Sequence, residues 1–265
     1  MTGATPADTE ILARSSRRAW LREIRDLDKW HDPLLLEDAA VTVHGVGRFE
    51  LRTATDDLYH VLPYREQKIF DEIHKRLRRG DVFVDAGANI GVFTVLAGKI
   101  VESTGKVVAI EMIPETVDRL RRHVVLNQLS NVSVVERALS DRSGQKITAT
   151  IPRGRFGQAS IVRGTGGTTV SVETTTLDEV LSKVEGSIAL LKVDLEGAEA
   201  KAFAGAIHTL DRTEAVIFEE LGGNSDMIDL LSAVGFTIRQ LDAHNFIAER
   251  YQPSVGEADP GLIVQ

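Results

Sequence analysis

The sequence predicts a doubly wound α/β fold, and three observations carry the prediction. Beyond Gly80, short apolar runs alternate with helical stretches of ten or more residues. The first run, Val82-Phe83-Val84, ends in Asp85 and passes through a glycine turn into a helix. Two later runs also end in acids, at Glu111 and at Asp194. Strands separated by helices of that length form a mostly parallel sheet covered on both faces.

The elements follow in order. Apolar positions between Ile11 and Trp30, spaced by three and four toward the end (Trp20, Leu21, Ile24, Leu27), predict a helix that Pro33 stops. Alternation around glycines over Ala40–Thr53 predicts a β-hairpin. Tyr64–Arg79 reads as a helix with Ile69, Phe70, Ile73 and Leu77 on one face and Gly80 as its stop. Then come a strand at Val82–Val84, a helix over Gly91–Ile100, a strand at Lys106–Glu111 and a helix opened by Pro114, a favoured first-turn position. Val132–Val135, Ile188–Val193 and Ala215–Phe218 are further strands, with helices over Gly197–Leu210 and Met227–Ala233. Phe236–Leu241 and Phe246–Ala248 predict a terminal antiparallel pair. Gln145–Ile151 and Thr168–Thr175 interrupt the alternation as strands flanking a glycine-rich loop, which reads either as a plain connection or as a lid over a substrate. The expected division is an extension over 1–63, a main domain over 64–252 and a tail over 253–265.

Composition narrows the function. The 265 residues carry 43% hydrophobic and 26% charged side chains, ordinary for a globular protein. With no cysteine, disulfides, thiolate metal sites and cysteine nucleophiles are excluded. A net charge of -8 opposes sequence-independent binding to nucleic acid. The basic clusters Arg14–Arg18 and Lys75–Arg79 read as solvated helix faces or helix ends. The N-terminus is polar and no apolar run spans a bilayer, so a cytoplasmic protein without integral membrane association is expected.

The chemistry concentrates at three strand ends. Asp85-Ala86-Gly87-Ala88-Asn89-Ile90-Gly91 places a turn at the carboxyl edge of the sheet, where ligands of open α/β folds bind. Gly87 allows a ligand to approach the backbone, and Gly91 allows close packing of the following helix. The G-x-G-x-x-G spacing of nicotinamide enzymes is absent. An acid at Asp85 repels a pyrophosphate but suits a cofactor that carries an ammonium and a sulfonium. Glu111, 20 residues after Gly91, can accept hydrogen bonds from a ribose diol; nicotinamide enzymes use the same device, so it points to a ribose rather than to one cofactor. Met112 either packs on an adenine face or is an ordinary loop methionine. Lys192-Val193-Asp194-Leu195-Glu196-Gly197-Ala198-Glu199 brings three carboxylates to a strand end, for function or for helix capping. None of the seven histidines sits in a pattern that nominates it, and His208 reads as a surface or packing residue.

These three motifs together resemble the FkbM family of methyltransferases. Asn131-Val132, Ala138-Leu139-Ser140-Asp141 and Thr176-Leu177-Asp178-Glu179-Val180-Leu181 are similar as well, so the resemblance runs from about Tyr64 to Leu221. It implies a class I, Rossmann-like methyltransferase sheet of seven strands with an N-terminal helix-hairpin extension. It also implies S-adenosylmethionine as cofactor and favours O-methylation of a hydroxyl on a sugar, glycolipid or secondary metabolite. Asp85, Gly87, Ala88, Asn89 and Gly91 are then expected at the methionine end, Glu111 and Met112 at the ribose and adenine, and Ala138 beside the adenine. Where relatives show proline or asparagine soon after the second acid, this chain has Met112-Ile113-Pro114, which weakens the adenine role of Met112. An aliphatic hydroxyl needs a base or a Lewis acid. Asp194 or Glu196 is the expected base; alternatively Asp194 with Glu219 or Glu220 holds a divalent ion. A cofactor-binding scaffold without turnover and a nicotinamide-dependent oxidoreductase are the competing readings.

Overall fold

The computed structural model describes residues 1–25, 33–62, 64–162, 166–220 and 226–250. Leu27 and Trp30 of the predicted first helix, the loop positions 163–165 and the tail 253–265 lie outside these residues.

In chain order, β1 (Thr2–Gly3) and α1 (Pro6–Arg25) precede the hairpin β2 (Ala39–Val43) and β3 (Gly47–Leu51). The short α2 (Asp57–His60) and α3 (Gln67–Arg76) lead into β4 (Val82–Ala86), α4 (Val92–Val101), β5 (Lys106–Glu111), α5 (Pro114–Leu126) and β6 (Val132–Glu136). Then follow β7 (Ala138–Leu139), β8 (Lys146–Ile151), β9 (Thr168–Thr175) and α6 (Leu177–Val180). The chain continues through β10 (Leu190–Val193), α7 (Glu199–Ala204), α8 (Ile207–Asp211), β11 (Ala215–Glu219), α9 (Asp226–Ala233), β12 (Phe236–Gln240) and β13 (Asn245–Arg250).

Seven strands form the main sheet in the order β12-β13-β11-β10-β4-β5-β6. The run from β11 to β6 is parallel, and β13 is antiparallel to both of its neighbours. From β4 the chain winds outward through β5 and β6, then returns to the other side of β4 as β10. That reversal opens a crevice at the carboxyl ends of β4 and β10, the ligand position of such sheets. Successive strand residues feed opposite cores. Phe83, Val107, Leu190 and Ile217 pack with the hairpin, α3 and α4, while Val84, Val108, Leu191 and Val216 pack beneath α7, α8 and α9. The hairpin residues Val41, Phe49 and Leu51 share the first of these cores. Among the described residues no helix is long and apolar enough to cross a membrane.

Some elements differ from the expectation. The hairpin gains a third strand, with Thr2 opposite Thr42. The predicted Tyr64–Arg79 helix is shorter at both ends. It stops at Arg76 because Leu77 turns extended (ψ 140°) to bury its side chain, while Arg78 N–H donates to the Asp81 carboxylate at 2.7 Å. The predicted Gly197–Leu210 helix is two helices. Gly205 presses against the Ser140 carbonyl and the Thr176 side chain, and the Asp178 carboxylate accepts the amides of His208 (3.1 Å) and Thr209 (2.7 Å), starting a new helix there. His208 itself is exposed.

Candidate active site

The apolar strand β4 carries Asp85 to the sheet edge and buries it to 1% exposure. Its Oδ2 accepts from the Thr94 hydroxyl at 2.6 Å, and its Oδ1 is buried without a partner among the described residues. Burial pushes its pKa up, against the nearby Lys192 ammonium. The turn that follows needs glycine at Gly87. There φ is +81°, and an added Cβ would stand 1.8 Å from the Asp194 carbonyl oxygen. Asn89 also adopts a left-handed conformation (φ 49°), and its Oδ1 is a second buried atom without a partner. Its amide donates to Glu111 Oε2 at 3.0 Å, and the amides of Met112 and Ile113 donate to Oε1 at 2.9 Å each. Glu111 therefore locks the β4 and β5 ends together. Three of its roughly four acceptor positions are filled by backbone, and its side chain borders the cavity. Burial raises the pKa of this carboxyl, opposed by those three amides.

At the end of β10, Lys192 is 3% exposed, with its Nζ 5.2 Å above the Phe93 ring and 3.1 Å from Asp194 Oδ2. Burial disfavours this ammonium, but Asp194, Asp85 and Glu66 together hold its pKa above the ordinary lysine value. The three acids of the motif separate in role. Asp194 and Glu196 line the cavity. Glu196 sits at φ 52°, and its carbonyl accepts from the Ser160 hydroxyl of the glycine-rich loop at 2.9 Å. Glu199 is buried and turns back to accept the amides of Leu195 (2.8 Å) and Gly197 (3.2 Å), so it shapes the turn. Glu219, at the end of β11, faces the same cavity; burial and the charges of Asp194 and Glu196 push its carboxyl up to about 8. Glu220 does not line the cavity, as alternation along a strand requires. No group of three or more His, Asp or Glu side chains is arranged to hold a metal ion among the described residues.

A cavity of about 660 Å³ joins these strand ends. Gly87, Ala88, Asn89, Gly91, Glu111 and Met112 line one part of it, with Ala138 beside them. The lining also takes in Phe156 and Gln158 of the glycine-rich loop, which the sequence offered as a lid or a plain connection, and residues the sequence did not single out: Asp56, Tyr59 and His60 around α2, and Glu66. Asp56 pins that loop, its carboxylate accepting the amides of Phe156 (3.0 Å) and Gly157 (2.9 Å). The Arg52 guanidinium lies 4.0 Å from the centre of the Phe156 ring and is itself fixed by ion pairs to Asp57 (2.7 Å) and Glu115 (3.0 Å). The Asp56–His60 spacing of four, next to a run of polar residues, is the trace these residues leave in the sequence.

Comparison with known proteins fits this arrangement. The family model described as the methyltransferase FkbM domain matches residues 85–247, more than half of the chain. A probable cobalt-precorrin-6B C(15)-methyltransferase (decarboxylating) of Sulfolobus acidocaldarius is 41% identical over 61 residues, 23% of this chain. The match takes in 32% of that protein, so the chain spans about a third of the curated relative it matches. A methyltransferase FkbM structure from Methylobacillus flagellatus KT is 17% identical, with a TM-score of 0.45, covering 78% of this chain and 49% of the other. A putative rRNA-methylase from Clostridium thermocellum is 11% identical, with a TM-score of 0.46, covering 70% and 95%. The family model spans the Asp85 turn, the Glu111 strand end and the Asp194 motif in one alignment, and the chain belongs to the FkbM methyltransferase family.

Proposed function

We propose that the protein catalyses S-adenosylmethionine-dependent O-methylation of a small polyhydroxylated acceptor: a sugar, glycolipid or secondary metabolite. The observation that carries this reading is one cavity lined by the Gly87–Gly91 turn and Glu111 together with polar and aromatic side chains from around α2 and the glycine-rich loop. The donor set fits the cofactor. Asn89, whose Oδ1 has no partner among the described residues, lines the cavity and can receive an ammonium, the buried Asp85 outside the lining adds its negative charge nearby, and Glu111 keeps one acceptor position for a ribose hydroxyl. When bound, S-adenosylmethionine supplies an electrophilic methyl group on a sulfonium.

The chain's part is binding and alignment, which can account for much of the acceleration of a displacement between two bound partners. Asp85 and the Gly87–Gly91 turn hold the methionine end, Glu111 the ribose, and Met112 and Ala138 flank the adenine. Asp194 and Glu196 receive the acceptor hydroxyl as hydrogen-bond acceptors and orient its lone pair. Tyr59, Phe156 and Gln158 give the cavity apolar faces and a polar amide, a lining suited to a sugar-like acceptor. The test is calorimetric titration with S-adenosylhomocysteine, followed by incubation of S-adenosylmethionine with a panel of methyl glycosides. Binding at micromolar affinity and release of S-adenosylhomocysteine are expected. Binding of NAD with no response to S-adenosylhomocysteine would refute the reading.

A further inference from the structure

His60 is a half-buried titratable group of the cavity that neither the sheet motifs nor the family resemblance assigns. It closes the four-residue α2, and its side chain is 23% exposed. Nε2 lies 3.4 Å from Asp56 Oδ2, and the ring meets Tyr59 edge-on at 5.2 Å. Nδ1 makes no hydrogen bond among the described residues. The position is built with care. An added Cβ at Gly157 would stand 2.2 Å from His60 Nε2 and 2.8 Å from Asn89 Nδ2, so glycine alone lets the loop close on both side chains. Asn89 belongs to the turn after β4 and Gly157 to the glycine-rich loop, which sets His60 at their junction.

We propose that His60, oriented by Asp56, is the general base of the acceptor site, taking the hydroxyl proton on Nδ1 during methyl transfer. The inference rests on the methyl-transfer reading above. The acceptor oxygen bonds to the methyl carbon as the carbon–sulfur bond breaks, and that bond's electron pair leaves with the sulfur. The hydroxyl proton passes to Nδ1, so the positive charge that began on the sulfonium ends on the imidazolium. The surroundings suit that end state. The charged groups facing His60 are Asp56 ahead of α2, Glu66 ahead of α3 and Asp194 at the end of β10. Burial favours the neutral ring, but these carboxylates outweigh it and raise the imidazole pKa above its ordinary value. Asp194 already spends one oxygen on Lys192, which leaves it to orient the hydroxyl while His60 takes the proton. Asp56 is a positioning residue; its carboxylate serves both the imidazole and the loop amides.

The test has two arms. In the ligand-free protein, His60 is followed by NMR pH titration, its signal identified by its loss in His60→Gln. It should titrate above the ordinary imidazole value of about 6.5 and move down in Asp56→Asn. A wild-type signal at the ordinary value, or one that Asp56→Asn leaves unmoved, overturns the dyad. With S-adenosylmethionine and a methyl glycoside, wild-type turnover should rise with pH through the His60 titration, because only the neutral ring accepts a proton. His60→Gln should lose about 100-fold or more in kcat together with that rising limb, while its affinity for S-adenosylhomocysteine stays within about two-fold of wild type. Full turnover in His60→Gln overturns the base alone. A wild-type protein that binds no S-adenosylhomocysteine overturns the methyl-transfer reading and the base with it.

Discussion

Replacing Gly87 with alanine tests whether the turn is built around the contact between β4 and β10. Two penalties add. At φ +81° a side chain costs about 1–2 kcal/mol in left-handed strain. The new Cβ would also lie 1.8 Å from the Asp194 carbonyl oxygen, which cannot simply retreat. The Asp194 amide donates to the Ala86 carbonyl at 3.0 Å, and Val193 is in register with Ala86, so movement tears the end of the ladder. Overpacking of this kind costs about 1–3 kcal/mol, for a total of about 2–5 kcal/mol. Gly186 supplies the control, because its φ is +82° and nothing lies within 4 Å of its added Cβ. It should show the strain alone. Gly91 should fall between them, because its Cβ would meet the terminal Cδ1 of Leu120 at 2.3 Å, a buried side-chain tip rather than backbone. Urea unfolding reads the series. With a slope near 3 kcal/mol/M, the midpoint should drop by about 0.7–1.7 M for Gly87→Ala and by about 0.3–0.7 M for Gly186→Ala. Equal shifts for the two would refute the argument.

Three further outcomes follow from the site. Lys192→Met leaves Asp85, Asp194 and Glu66 facing one another without their shared cation and should cost about 3–5 kcal/mol by urea unfolding; a loss under about 1 kcal/mol would contradict the buried charge arrangement. Glu219 titrates near 8 in the folded protein, against 4.5 for an ordinary glutamate, so between those values the folded state holds the extra proton and stability falls as pH rises. Glu219→Gln should flatten the melting temperature across that window and leave it unchanged below about pH 4, where both forms are neutral; an identical slope in both proteins would remove the assignment. Shortening the loop between β8 and β9 should lower turnover more than affinity for S-adenosylhomocysteine, and equal losses would return it to a plain connection.

The central sheet was legible because apolar strand, glycine turn and helix are local signals. β5 spans the predicted residues, and Pro114 opens α5 as expected. The strand ends were legible for the same reason: Gly87, Gly91 and Glu111 line the cavity formed there, while Asp85 is buried outside the lining. The residues around α2 were not. His60 and Glu66 lie around a four-residue helix with too few turns for a periodic pattern, and only tertiary closure brings them against Asp194. The break at Gly205 was hidden for a related reason. Its cause is the distant carboxylate of Asp178 and the packing against Ser140 and Thr176. Glu199 looked like a site residue by spacing, yet its carboxylate is consumed by two amides of its own turn.

The central claim is that the ends of β4 and β5 hold S-adenosylmethionine, and calorimetry with S-adenosylhomocysteine on wild type and Glu111→Gln tests it most directly. Glutamine keeps one oxygen for the amides of Met112 and Ile113 but turns its amide nitrogen toward the Asn89 amide, so the charge and one lock of the turn are lost together. A charge-assisted ribose contact is worth about 1.5–3 kcal/mol. The account therefore predicts micromolar binding by wild type and a dissociation constant raised by about 10- to 150-fold in Glu111→Gln. Wild-type binding that Glu111→Gln leaves unchanged, or no binding by wild type at all, would contradict it.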